Sequence, residues 1–327
     1  WRDWLVRAAA GCPQDLQVLY SVSGERRLDE YTVDWLAGYH GARPVRVGNA
    51  AFRQLQLDIY GEVCDTLHLA RAAGLESMAP AWRIQRALLA FLEANWQQGD
   101  QGIWEMRGSP RCFTHSQIMA WVAFDRAVKD IEAYGLDGPL ARWRQVRDAI
   151  HARVCEAGFD ARRNCFVQYF GGTQLDASLL LIPQLGFLPP EDPRVRGTVD
   201  AICRELTVDG LVKRYSTASG VDALPPGEGF FLPCSFWLAA ALALVGRRDD
   251  GQRLFEHLLG FANDVGLFSE EYDAKAGRML GNFPQAMTHM ALVNTARVLT
   301  MAEHEAAGLA RRGERPASAG LHRADNP

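Results

Sequence analysis

Apolar residues recur at steps of three and four over most of the chain, and glycine and proline punctuate the intervals. Trp1 to Ala10 carries an amphipathic pattern stopped by Gly11 and Pro13, so it predicts a helix end. From Gln17 to Pro44 no period holds, and the segment is too aromatic to be disordered. Phe52, Leu55, Ile59, Val63, Leu67 and Ala70 then predict a long helix. Helical spacing resumes over Trp82–Trp96, Cys112–Val128 and Leu140–Val154. A strand reading suits Phe166–Phe170. Further helices are expected over Leu175–Leu185 (ended by Pro183), Val195–Leu206, Phe236–Val245, Arg253–Phe261 and Pro284–Met301, the last started by Asn282. About ten helices with little strand make an all-α protein, and no βαβ alternation or consensus repeat competes with that reading. The expected organisation is one helical domain over residues 1–303 and a disordered tail over 304–327. Helices alternating with unequal loops suit a helical toroid; globin-like packing and an α-solenoid share the pattern.

Composition narrows the function classes. The 327 residues are 48% hydrophobic and 23% charged, enough to bury a large core. A net charge of −4, pI near 6.1 and scattered arginines offer no footprint for nucleic acid. The longest apolar run, Phe236–Val245, is too short to span a bilayer. The seven cysteines, Cys12, Cys64, Cys112, Cys155, Cys165, Cys203 and Cys234, form no C-x-x-C pair and several sit among apolar residues. They read as free thiols in a reducing, cytoplasmic setting, with no zinc spacing and no metal or cofactor implied.

The candidate chemistry lies in two loops between helical stretches. The first is Asp100-Gln-Gly-Ile-Trp-Glu-Met-Arg-Gly108, which places Trp104 directly before Glu105. An apolar wall favours the protonated form of a carboxyl, as a general acid requires, and an indole offers a face on which a sugar can stack. The second is Asn263-Asp-Val-Gly-Leu-Phe-Ser-Glu-Glu-Tyr-Asp273, followed by Gly281-Asn-Phe-Pro-Gln285. Glycoside hydrolysis divides its labour between two carboxyl groups in this way. His40, His115 and His289 lack metal-ligand spacing and suit capping or packing. Asp58 and Glu62 stand one turn apart and could equally line a site or pair outside it.

Taken together, Gly102-Ile-Trp-Glu-Met-Arg107, Gly266-Leu-Phe-Ser-Glu-Glu-Tyr-Asp273 and Gly281-Asn-Phe-Pro-Gln-Ala286 resemble glycoside hydrolase family 15, the glucoamylases, glucodextranases and bacterial trehalases. Ala42-Arg-Pro-Val-Arg-Val-Gly-Asn-Ala50, Lys213-Arg-Tyr215 and Gly229-Phe-Phe-Leu-Pro-Cys-Ser-Phe-Trp237 extend the resemblance in the family's order. It implies an (α/α)6 toroid that hydrolyses terminal α-glucosidic bonds with inversion. Glu105 matches the general acid and Glu270, after serine, the general base. Trp104, Arg107, Arg43, Arg46, Arg214 and Glu271 match positions that contact substrate. The implied partner is a small-molecule or oligosaccharide α-glucoside, with no cofactor.

Two departures accompany the match. Met106 stands where some fungal members carry a second glutamate, so their specificity does not transfer. The N-terminal β-sandwich of bacterial members and the Trp-x-x-Arg-Asp motif of the first barrel helices have no counterpart in this chain. The toroid is therefore expected to be incomplete at its N-terminal side, with an open edge suited to self-association. The alternative reading is an inactive, truncated member that serves as a carbohydrate-binding or assembly fragment. An unrelated toroid is a third: a terpenoid cyclase would need an Asp-rich metal motif, and Asp249-Asp250 is too short, while a polysaccharide lyase would need a Tyr or His base with charge-neutralising partners.

Overall fold

A computed structural model describes residues 2–8, 16–75, 79–217, 220 and 228–312. The stretches with three-and-four spacing fold as helices α1 (Arg2–Ala8), α2 (Asp58–Ala72), α3 (Ala79–Asn95), α4 (Thr114–Tyr134), α5 (Leu140–Ala157), α6 (Ile182–Leu185), α7 (Pro193–Glu205), α8 (Leu232–Leu244), α9 (Arg248–Leu259) and α10 (Ala286–Arg312). Strands are short hairpin pieces: β1 (Tyr31–Thr32) with β2 (Arg46–Val47), β3 (Phe159–Asp160) with β4 (Cys165–Phe166), β5 (Thr207–Val208) with β6 (Leu211–Val212). One three-stranded antiparallel sheet joins β7 (Phe230–Phe231), β8 (Glu271–Asp273) and β9 (Arg278–Leu280), with Phe231 opposite Glu271 and Glu271 opposite Leu280.

The chain divides into two compact units, Trp1–Phe187 with Tyr215–Glu228, and Leu188–Arg214 with Gly229–Pro327. Each is organised around a helix that is buried on nearly every side. In the first unit this is α4, buried almost continuously from Thr114 to Val128, with α2 and α5 packed on it. Gly61 lets α2 approach closely, because a Cβ there would stand 2.2 Å from the Met119 carbonyl oxygen. Polar groups lock the same interface. Asp130, fully buried on α4, accepts from Arg71 and lies 2.7 Å from His68 Nδ1, both on α2. Arg71 also donates to Gln85 on α3 at 2.8 Å. In the second unit α8 is buried from Leu232 to Ala243 and is covered by α7, α9 and α10.

Element boundaries depart from the periodicity where loops compete for the backbone. The helix expected from Phe52 begins at Asp58. Upstream of it Asn49 caps a 3-10 turn over Ala50–Arg53, and the Leu57 N–H goes to the Asp100 carboxylate at 2.8 Å. Pro183, expected to end a helix, sits in the first turn of α6, where a missing N–H costs nothing. Asn282 does not start α10; its donors go elsewhere, as described below. Helix α10 continues past the expected boundary at 303 as far as Arg312. The rest of that tail, 313–327, and the stop signals at Gly11 and Pro13 lie outside the described residues. No described helix is long and apolar enough to cross a membrane.

Candidate active site

Paired backbone hydrogen bonds of 2.9 Å between Asp100 and Arg111 close the first loop. Inside it the Glu105 N–H donates to the Gly102 carbonyl and the Met106 N–H to that of Gln101, both at 3.1 Å. The turn holds Glu105 at φ 54°, a left-handed conformation that costs a residue with a side chain about 1–2 kcal/mol. Its surroundings impose it. Trp104 and Met106 are anchored in the interior on either side, 8% and 2% exposed, and Gln54 Nε2 donates to the carbonyls of Glu105 and Met106 at 3.3 and 3.1 Å. Strain that neighbours over-determine is a recurring property of functional sites.

The Glu105 carboxylate accepts a hydrogen bond on Oε2 from Asn49 Nδ2 at 2.9 Å. Asn49 is fixed in turn, since its Oδ1 accepts from the Ala51 N–H at 2.9 Å. The stretch Ala42–Ala50 thus meets the loop of Glu105 through an asparagine that the arginine-centred sequence reading missed. Two of the arginines converge beside it: Arg46 and Arg107 lie 3.3 and 3.2 Å from Glu30. Glu30 also accepts from the Ala50 N–H, and that bond, followed by the two guanidinium groups, holds its carboxyl below the usual range. Arg43 is held separately, its Nε donating to the Ala37 carbonyl at 3.4 Å.

Trp104 is turned inward. Its indole N–H donates to both oxygens of Asp176, at 2.9 and 3.0 Å, and its ring packs against Tyr215 at 6.4 Å between centroids. With 8% of its surface exposed, the ring is anchored in the interior. Asp176 escaped the sequence reading, although its place ahead of Ala177-Ser178 is a capping signal.

In the second unit Glu270 Oε2 accepts from both the backbone N–H and the side-chain Nδ2 of Asn282, at 3.0 and 3.1 Å. The main chains pair as well, Glu270 N–H to Asn282 O at 2.9 Å. Gly281 has φ 72°, and a Cβ there would stand 2.7 Å from Glu270 Oε2, so the close approach requires glycine. Glu271 begins β8, and successive side chains of a strand leave on opposite faces. Its Oε2 accepts from the Gly229 N–H at 3.1 Å, a different partner on a neighbouring segment. The Arg214 guanidinium lies over the Phe231 ring at 5.5 Å. His289 packs as expected, bonded to the Gln285 carbonyl at 2.7 Å.

Beneath the first loop lies a buried polar cluster. Asp58, Asp100 and His115 are 3%, 1% and 3% exposed, with His115 Nδ1 4.0 Å from Asp58 Oδ2. Burial pushes the Asp100 carboxyl up to about 6 and raises that of Asp58, to which the charge of Asp100 adds. Burial pushes His115 down from 6.5 to about 4. In the unfolded chain His115 takes its proton at higher pH than in the folded protein. It therefore withdraws roughly 3 kcal/mol of stability as pH falls through that interval, while Asp100 acts in the opposite sense. His115→Gln is expected to gain stability relative to the parent protein as pH falls from about 7 to about 4.5. Denaturant titrations at both values check this, and a constant difference would show that His115 is not held neutral. Among the described residues no group of His, Cys, Asp and Glu is arranged to hold a metal ion.

Comparison with known proteins places these features in context. The model for glycosyl hydrolases family 15 matches residues 1–297. The trehalase of Mycobacterium tuberculosis is 45% identical over 291 residues, which take in 89% of this chain and 43% of that protein. The trehalase of Thermoplasma volcanium is 40% identical over 283 residues, 86% and 45% of the respective chains. A bacterial glucoamylase complexed with acarbose matches at a TM-score of 0.65 and 14% identity, covering 93% of this chain and 45% of that one. That likeness concerns the fold, and it bears out the expected all-α, (α/α)6 class. The chain spans about half the length of the curated relatives it matches.

Proposed function

The chain belongs to glycosyl hydrolase family 15, and from that premise we propose that it hydrolyses a terminal α-glucosidic bond with inversion, Glu105 acting as acid and Glu270 as base. One observation supports these two residues as the pair, while which is acid and which is base follows from the resemblance of the Trp104-Glu105 and Ser269-Glu270 motifs to the family. Each carboxylate is anchored by an asparagine through Oε2 alone, Glu105 by Asn49 and Glu270 by Asn282. Among the described residues neither Oε1 has a hydrogen-bond partner, so one oxygen of each group is available for proton transfer. Oε1 of Glu105 would give its proton to the departing glycosidic oxygen. Oε1 of Glu270 would take one from the attacking water, on the opposite face of the sugar. The other Glu271 oxygen aside, the Gly229 N–H bond on its Oε2 and its strand position favour a contact role over that of base.

Trehalose is the favoured substrate, because the relatives at 40–45% identity are trehalases. Arg46, Arg107 and Arg214 supply donors of the kind that bind sugar hydroxyls, with Arg43 and Glu271 as outer contacts. The buried thiol of Cys64, which forms no disulfide, supports a cytoplasmic setting.

The test is stereochemical. Water attacks one of the two anomeric carbons of trehalose and inverts it, while the departing glucose keeps its configuration. Proton NMR of the first products should show α- and β-glucose in equal amounts before mutarotation. Release of α-glucose alone would refute inversion, and no release of glucose would refute the activity.

A further inference from the structure

A buried polar junction lies behind Trp104, the residue next to the acid. Asp176 is 3% exposed, and its two oxygens accept from Trp104 Nε1, from Gln168 Nε2 at 2.9 Å, and from the N–H and Oγ of Ser178 at 2.8 and 2.6 Å. Burying a carboxylate is costly unless such donors surround it, and here burial still raises its pKa despite them. A neutral side chain of similar size would give Ser178 its cap at less cost. What the charge adds is a two-oxygen acceptor that fixes the direction of the Trp104 ring.

That direction matters because Trp104 is joined to Glu105 by one peptide bond, and Glu105 occupies a left-handed conformation that does not hold itself. A backbone bridge between Asp176 and Tyr215, whose ring packs on Trp104, ties the junction to a further segment. The Gln168 carbonyl accepts from the Thr114 N–H at 2.9 Å, which ties it to the start of α4. The ring is thereby located by several independent pieces of chain.

We infer that Asp176 is a positioning residue for the acid: by holding the Trp104 indole through both oxygens, it sets the direction in which Glu105 presents its carboxyl. This rests on the assignment of Glu105 as the acid. The effect of losing Asp176 should therefore fall on protonation of the leaving group and leave sugar binding nearly intact.

Asp176→Asn keeps the volume but turns an N–H₂ group toward existing donors, so at least one of them loses its acceptor. In the full-length protein this variant should lower kcat on trehalose by about 10²-fold, the scale of a small misplacement of a catalytic group. KM should change by less than about threefold, because ground-state contacts are retained. On α-glucosyl fluoride, whose fluoride departs without needing a proton, the loss should be under about threefold. Trp104→Phe keeps a ring and deletes the N–H; it should show the same selectivity, and it carries the test alone if Asp176→Asn fails to fold. Glu105→Gln is the reference: it should lose turnover of trehalose and retain that of the fluoride. If Glu105→Gln discriminates between the two substrates and the Asp176 and Trp104 variants lose both equally, the positioning role is overturned and the acid assignment stands. If Glu105→Gln itself loses both equally, the acid assignment falls and the inference falls with it.

Discussion

Glu270→Gln is expected to lower kcat on trehalose by about 10²–10⁴-fold, the usual contribution of a general base. KM should be nearly unchanged, because the amide retains an oxygen that can accept from Asn282 and fills the same volume. What disappears is the basic oxygen that takes the proton of water. Glu271→Gln, one residue away, should stay within about tenfold of the parent, since it removes a contact and not the proton acceptor. The contrast follows from geometry. Glu270 is bonded to the main chain and side chain of Asn282, whereas Glu271 starts β8 and bonds the N–H of Gly229. Steady-state kinetics on both variants decide it. A larger loss at Glu271 would mean that the base is the second glutamate of the pair.

The second large effect is on stability. Asp130→Ala should destabilise the first unit by about 3–5 kcal/mol, the range for breaking a buried ion pair by removing one partner. Asp130 has no exposed surface, and it faces Arg71 and His68 across the interface of α2 and α4. Without it the Arg71 guanidinium, 8% exposed, keeps, among the described residues, Gln85 Oε1 and the face of Trp82, 5.3 Å away. Neither neutralises a buried charge. Chemical denaturation monitored by tryptophan fluorescence measures the loss. A change below about 1 kcal/mol would show that solvent reaches Arg71 and compensates.

Part of this architecture is legible in the sequence alone. Phe236–Val245 read as a buried helix because it has no polar face, and α8 lies at the centre of its unit for that reason. The Trp104-Glu105 pair and the run Phe268-Ser-Glu-Glu-Tyr272 stood out because loops seldom combine carboxylates with large apolar residues. The misreadings are local in origin. Phe52 and Leu55 keep helical spacing but lie upstream of Asp58, where a capped turn and the Asp100 carboxylate set the helix start. The sequence reading of Trp104 named its ring face and left out its N–H, which is taken by a carboxylate 72 residues further along the chain.

By itself, then, the sequence determined the helical class, the two loops proposed to carry the chemistry, and the family. All three are written in neighbouring residues: a helix needs apolar groups three or four apart, and a motif is a run of adjacent letters. Only the tertiary structure decided which groups hold the carboxylates. Asn49 meets Glu105 across 56 residues, Asn282 meets Glu270 across 12, and Asp176 meets Trp104 across 72. A hydrogen bond requires two atoms within about 3 Å, and nothing in the spacing of residues along the chain records which distant segments packing will bring that close.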